Sequence, residues 1–155
     1  MIRILFVCHG NICRSPMAEF IFRDMVTKHG LSDQISVASA ATSNEEIGNP
    51  VHPGTRGVLS RLGISAAGKY AVRMERSDYK KYDYLIGMDQ WNRKNMLRIC
   101  GEDPEEKIHL LLDYTDAPRD VADPWYTGDF EQTYRDIVRG CEGLLTYLTD
   151  AEDIS

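Results

Sequence analysis

The chain has 155 residues, 43% of them hydrophobic, which is one domain's worth of sequence and enough to bury a single core. Its 24 acidic residues outnumber 18 basic ones for a formal net charge of −6, and no basic block interrupts them. This excludes nucleic acid and an anionic membrane surface as main partners, and any bound anion has to be held locally.

Met1 runs directly into "IRILFVC", no stretch reads as a signal peptide, and no apolar run approaches the ~20 residues of a membrane span. A cytoplasmic protein is expected. Four cysteines are too sparse for a disulfide framework, and a reducing compartment keeps them as thiols unless chemistry intervenes. Residues 1–155 show no repeat, low-complexity tract or linker, and read as a single domain.

In chain order, "IRILFV" (residues 2–7) is a continuous apolar run of the kind found in strands buried on both faces. A helical pattern follows, with Met17, Phe20, Ile21 and Met25 on one side. "ISVASA" is a weaker second strand, and Val58, Leu59 and Leu62 mark a helix before Gly63. "YLIGM" (84–88) reads as a third strand, Trp91 to Ile99 as its helix, and "IHLLL" (108–112) as a fourth strand. In the last helix Phe130, Tyr134, Ile137, Val138, Cys141, Leu144, Leu145 and Leu148 share one face. Strand and helix alternate, which predicts an α/β domain: a four-stranded parallel sheet with helices on both sides, Rossmann-like, with right-handed crossovers. Ligands in such sheets bind beyond the carboxyl ends of the strands.

"FVCHGNICRSP" leaves the first strand at that end. If Cys8 ends the strand and Arg14, Ser15 and Pro16 open the helix, residues 9–13 form a tight turn whose amide N–H groups converge with the helix N-terminus into an anion nest. Gly10 and Asn11 are residue types that tolerate positive φ, and Pro16 fits the first helical turn. Arg14 supplies a planar fork for two phosphate oxygens. In that field the Cys8 thiol is expected to ionise readily and to act as a nucleophile toward phosphorus, with Ser15 placed to donate to its sulfur. Read alone, a cysteine and an arginine at this spacing also fit buried apolar filling by Cys8 and Cys13. A zinc site is poorly served, because Cys100 and Cys141 stand apart. No metal and no cofactor are expected.

Phosphoryl transfer from an ester also calls for an acid at the leaving oxygen. "VADPWY" offers Asp123 in a loop between the fourth strand and the last helix, and that loop returns to the same sheet edge as Cys8. Trp125 and Tyr126 make a wall for a flat aromatic group.

"VCHGNICRSPMAE", "SAATSNEEIGNP", "YDYLIGMD" and "DPWY" resemble, in order and spacing, the low-molecular-weight protein tyrosine phosphatases, over nearly the whole chain. The resemblance implies a metal-independent reaction through a phosphocysteine. Cys8 is then the nucleophile, Arg14 grips phosphate, and Asp123 protonates the tyrosine oxygen and afterwards activates water. His9, Gly10, Asn11, Ile12, Cys13, Ser15 and Ser39 form or brace the phosphate loop. Cys13 matches a thiol that captures oxidised Cys8 as a reversible disulfide. The implied partners are phosphotyrosine-containing proteins, and a monomer is expected.

Three positions depart from the family pattern. Glu45 stands where many members carry a ring-clamping aromatic on the pocket wall, Lys69 falls where a bracing histidine is usual, and His9 replaces an apolar residue. Asp89 matches a recurrent family acid with an expected structural role. Thioredoxin-coupled arsenate reductases share the loop but need a close downstream cysteine pair. Protein-arginine phosphatases carry threonine where this chain has Ile12. An idle phosphate-binding module would need neither thiolate nor acid.

Overall fold

The computed structural model describes residues 1–154. In chain order it contains β1 (Ile2–Cys8), α1 (Arg14–Lys28), β2 (Ile35–Ala41), α2 (Pro53–Arg61), α3 (Asp78–Lys81), β3 (Tyr84–Gly87), α4 (Gln90–Cys100), β4 (Ile108–Leu110), a 3₁₀ turn (Leu111–Tyr114), α5 (Pro124–Thr127) and α6 (Phe130–Ala151). The four strands pair in parallel in the order β2-β1-β3-β4.

The unbroken apolar run of β1 follows from its central place. Ile4, Phe6 and Cys8 alternate onto one face and pack with Met17, Ile21 and Phe22 of α1, Val58 and Leu59 of α2, and Ile137, Cys141, Leu144 and Leu148 of α6. Leu5 and Val7 face the other way, toward Leu85, Ile108, and Met96 and Cys100 of α4. Phe6 and Phe22 meet edge to face with centroids 5.8 Å apart, and burying each such ring contributes about 1.5–3 kcal/mol. β1 has β2 on one side and β3 on the other, so the strand order reverses at β1 and opens a crevice at the carboxyl ends of β1 and β3. Cys8 is the last residue of β1 and Asp89 follows β3 within two residues.

The segment 108–112 differs from its sequence expectation. Pairing stops at Gly87↔Leu110, and Leu111 and Leu112 turn into the 3₁₀ helix instead of extending the strand. The Asp113 carboxylate accepts the Leu110 N–H at 3.1 Å, which ends the ladder. Two glycines of α6 make room for the turn: a Cβ on Gly140 would lie 2.4 Å from Leu111 Cγ, and one on Gly143 would lie 2.1 Å from the Tyr114 carbonyl oxygen. The third strand stops at Gly87, with Met88 outside it. The apolar face of α6 also carries two fully buried polar residues, Thr133 and Asp136. Among the described residues no helix is long and apolar enough to cross a membrane.

Gly143→Ala is expected to destabilise the protein by about 1–3 kcal/mol, because the new methyl meets backbone that cannot move aside. Gly57→Ala, inside α2 with open space around it, is expected to stabilise by up to about 1 kcal/mol. Thermal denaturation of the two variants checks both signs.

Candidate active site

α1 begins directly after the loop. Its N-cap residue is Cys13, no side chain caps it, and its first turn holds no acid. The positive end of the helix is therefore left for an anion. Of the two residues expected to permit positive φ, only Asn11 uses it, at 59°. Gly10 serves close approach instead: a Cβ there would lie 3.3 Å from Glu46 Cγ. The segment that follows β2 is zipped onto the loop, with Thr42 N–H donating to the Cys8 carbonyl at 3.0 Å and Ser43 N–H to that of His9 at 3.1 Å.

Hydrogen bonds behind the loop run in one direction. The Asn11 side-chain amide donates to Ser15 Oγ at 2.8 Å and to Ser39 Oγ at 2.9 Å, which uses both of its hydrogens. Each hydroxyl is left with its own hydrogen to give. Ser39 donates to Glu19 Oε1 at 2.5 Å, and Ser15 Oγ lies 2.9 Å from Cys8 Sγ. The Asn11 backbone N–H donates to the same sulfur at 3.3 Å, so the thiol sits under two donors of the kind a thiolate accepts. Asn11 Oδ1 in turn accepts the Val72 N–H at 3.1 Å.

Glu19 is buried and its charge is met by two cations, Arg23 Nη2 at 2.5 Å and Lys69 Nζ at 3.7 Å. Lys69 also donates to the Ser39 carbonyl at 3.0 Å. Burial pushes the Lys69 ammonium below its ordinary range, against the pull of Glu19. Cys13 behaves differently from a loop nucleophile. Burial, reinforced by nearby Cys8 and Asp123, pushes its thiol up to about 12, and it is neutral at physiological pH.

Arg14, 3% exposed, is held from two segments, the end of β3 and the loop that leads into α5. Nη1 pairs with Asp89 Oδ2 at 2.8 Å and donates to the Val121 carbonyl at 3.1 Å, and Nη2 meets Asp123 Oδ2 at 3.2 Å. Burial works against the charged guanidinium, but Cys8, Asp123 and Asp89 outweigh it and hold Arg14 above its already high range. Both aspartates also start helices. Asp89 Oδ1 accepts the Asn92 N–H at 2.8 Å at the head of α4, and Asp123 Oδ1 accepts the Trp125 N–H at 3.0 Å at the head of α5.

The two buried polar residues of α6 secure the Asp123 loop. Thr133 Oγ1 donates to the Ala122 carbonyl at 2.8 Å, and Asp136 Oδ2 accepts the Ala122 N–H at 3.0 Å. Arg119 closes a two-pronged pair on Asp136 at 2.6 and 3.1 Å. Burial would raise the Asp136 carboxyl, but these bonds, with one from Gln132, keep it below the usual carboxylate range.

Cys8, Cys13, Arg14 and Asp123 line one cleft of about 490 Å³ with His9, Gly10, Ile12, Glu45, Trp125 and Tyr126. Asn11, Ser15 and Ser39 lie behind it in the relay. Glu45 is tied at the rim to His9, whose Nε2 lies 2.9 Å from Glu45 Oε2. Sequence reasoning missed four participants: Glu19, whose signal was an acid amid the buried run of α1; Thr133 and Asp136, polar residues on an apolar stripe; and Trp91, assigned only to a helical pattern yet facing the cleft.

A family model described as low molecular weight phosphotyrosine protein phosphatase matches residues 3–153. The low molecular weight protein-tyrosine-phosphatase YfkJ of Bacillus subtilis is 46% identical over 147 residues, 94% of each chain. Its crystal structure superposes with a TM-score of 0.95 at 44% identity, covering 98% of this chain and 97% of that one. SP-PTP, a low molecular weight protein tyrosine phosphatase of Streptococcus pyogenes, gives 0.85 at 40% identity over 96% and 93% of the two chains. An arginine phosphatase of Drosophila gives 0.83 at 26% identity over 93% and 96%. With a relay-braced cysteine and a clamped arginine in the loop after β1, and with these likenesses along its length, the chain belongs to the low molecular weight phosphotyrosine protein phosphatases.

Proposed function

We propose that residues 1–155 form one catalytic domain that hydrolyses phosphotyrosine in proteins, and small aryl phosphates, as a cytoplasmic monomer. The observation that carries this reading is the convergence at one cleft of the Cys8 sulfur, under the Ser15 and Asn11 donors, with an arginine fixed between two carboxylates.

The phosphoryl group enters the loop over the uncapped start of α1, where backbone N–H groups and the Arg14 fork take its oxygens. Once the phosphate has taken the place of Asp123 on Arg14 Nη2, Asp123 carries a proton; Cys8 Sγ attacks phosphorus in line, and the phosphorus–oxygen bond to tyrosine breaks as Asp123 gives that proton to the departing oxygen. A water molecule, losing a proton to the Asp123 carboxylate, then attacks the phosphocysteine, and the sulfur leaves as a thiolate stabilised by Ser15 and Asn11. Asp89 touches no reacting atom. It keeps the guanidinium plane fixed, so the donors need not reorganise as charge develops. Cys13 is the neutral thiol that would condense with a sulfenic acid on Cys8, releasing water and leaving a reducible disulfide.

Ile12, apolar and lining the cleft, supports an aryl ester over a guanidinium phosphate. Metal-free assays with phosphotyrosine, phosphoserine and phosphoarginine peptides are expected to show selective hydrolysis of phosphotyrosine; a preference for phosphoarginine would keep the chemistry and reject the substrate. Cys8→Ser is expected to abolish turnover while inorganic phosphate still binds, and appreciable activity in that variant would remove Cys8 as nucleophile. Asp123→Asn should cost about 10²–10⁴-fold with a basic leaving group and less with p-nitrophenol; equal losses for the two would argue against the acid role. Asn11→Ala breaks the relay and forces an alanine into positive φ. It should lower stability by about 1–3 kcal/mol, together with kcat/KM, as read by melting and steady-state kinetics.

A further inference from the structure

Two helix starts of the same design face Arg14. At the end of β3, Asp89 caps α4 and binds Nη1; at the head of α5, Asp123 caps the helix and binds Nη2. Two residues beyond each aspartate stands a tryptophan, in "DQW" and "DPW". These are the only two tryptophans of the chain, both line the Cys8 cleft, and both are exposed, Trp91 at 69% and Trp125 at 62%. Each ring has a neighbouring side chain. Lys94 Nζ lies over Trp91 at 5.2 Å from its centroid, and His52 meets Trp125 edge-on at 6.3 Å.

An exposed indole on the wall of a concave site, attached to a residue that fixes the phosphate-binding arginine, is in position to contact whatever the phosphate carries. On the remaining rim, Glu45 is occupied by His9 and presents no ring. Building on the phosphatase reading above, we propose that Trp91 is a specificity-determining residue, the second aromatic wall of a slot that holds the substrate's phenyl ring opposite Trp125 and Tyr126, in place of a ring at position 45. Arg14 and the loop set the depth of the phosphate, and the ring attached to it has to leave between the segments that begin at Asp89 and Asp123. Aromatic faces on both segments favour aryl phosphates over alkyl phosphates without touching the reacting atoms.

The presence of only two tryptophans makes the contact directly observable. In Trp125→Phe the sole indole is Trp91, and its emission is expected to shift or quench on saturation with phenylphosphonate and to stay unchanged on saturation with inorganic phosphate. Equal responses to both ligands, or none to phenylphosphonate, overturn the proposal. In an otherwise unaltered chain, Trp91→Ala is expected to raise KM for p-nitrophenyl phosphate and a phosphotyrosine peptide by about 2- to 12-fold, the size of one aromatic contact. The loss should fall on KM rather than kcat, leave the Ki of inorganic phosphate in place, and be recovered by Trp91→Phe. An unchanged KM overturns the proposal, and so does a parallel rise in phosphate Ki, which would mean that Trp91 acts through Asp89 on Arg14. Should the unaltered protein show no Cys8-dependent turnover, the phosphatase reading fails while the fluorescence titration still decides on the wall.

Discussion

The site depends on one buried cation. Arg14 sits at the first turn of α1 with almost no exposure, and a guanidinium there is tolerable only because Asp89, Asp123 and the Val121 carbonyl meet it. Those partners come from the end of β3 and from the loop that leads into α5, so satisfying one charge draws two distant segments onto the mouth of β1. Removing either aspartate would leave the remaining charges imperfectly matched as well as altering the chemistry. The raised proton affinity of Arg14 expresses the same balance: burial opposes the charge, and the surrounding anions more than restore it.

Behind the loop, polarity is organised by hydrogen counting. Asn11 gives both amide hydrogens away, which leaves Ser15 free to serve the Cys8 sulfur and obliges Ser39 to find an acceptor, which Glu19 supplies. Lys69 and Arg23 then compensate the buried Glu19 carboxylate. The relay thus connects a surface-proximal cation pair to the Cys8 sulfur through side chains that are all satisfied, the condition under which a buried polar network rigidifies a site. Lys69, anchored on the Ser39 carbonyl, fixes the far end of this relay.

The rim, by contrast, is built from exposed and separable parts. The His9 and Glu45 side chains pair in solvent, where such a contact is worth little. The cleft's tryptophans stand on the two aspartate-capped helix starts, so that aromatic surface shares its scaffolding with Arg14.

Much of this was legible in the primary structure. The apolar run of β1, the alternation of strands with amphipathic helices, and a loop that spaces Cys8 from Arg14 around Asn11 are local patterns, and local patterns report directly on strand burial, helix faces and turn conformation. They determined the fold class and the loop between β1 and α1, and they offered the candidate acid in "DPWY". The end of β4 was not legible, because Leu111 and Leu112 continue the apolar run and only Gly140 and Gly143, some 30 residues on, reveal that α6 needs them in a turn. Nor were the partners of buried polar groups: Glu19 reads as one more charge on a helix until Ser39 and Lys69 are seen against it, and Asp136 as an interruption of a stripe until Arg119 and Ala122 are. Trp91 likewise passed for part of a helix, since whether an indole packs inward or lines a cleft depends on which segments close around it. Sequence by itself determined the chemistry available in the loop; tertiary structure alone decided which charges are buried together, because desolvation and hydrogen-bond satisfaction are properties of a neighbourhood and not of a residue.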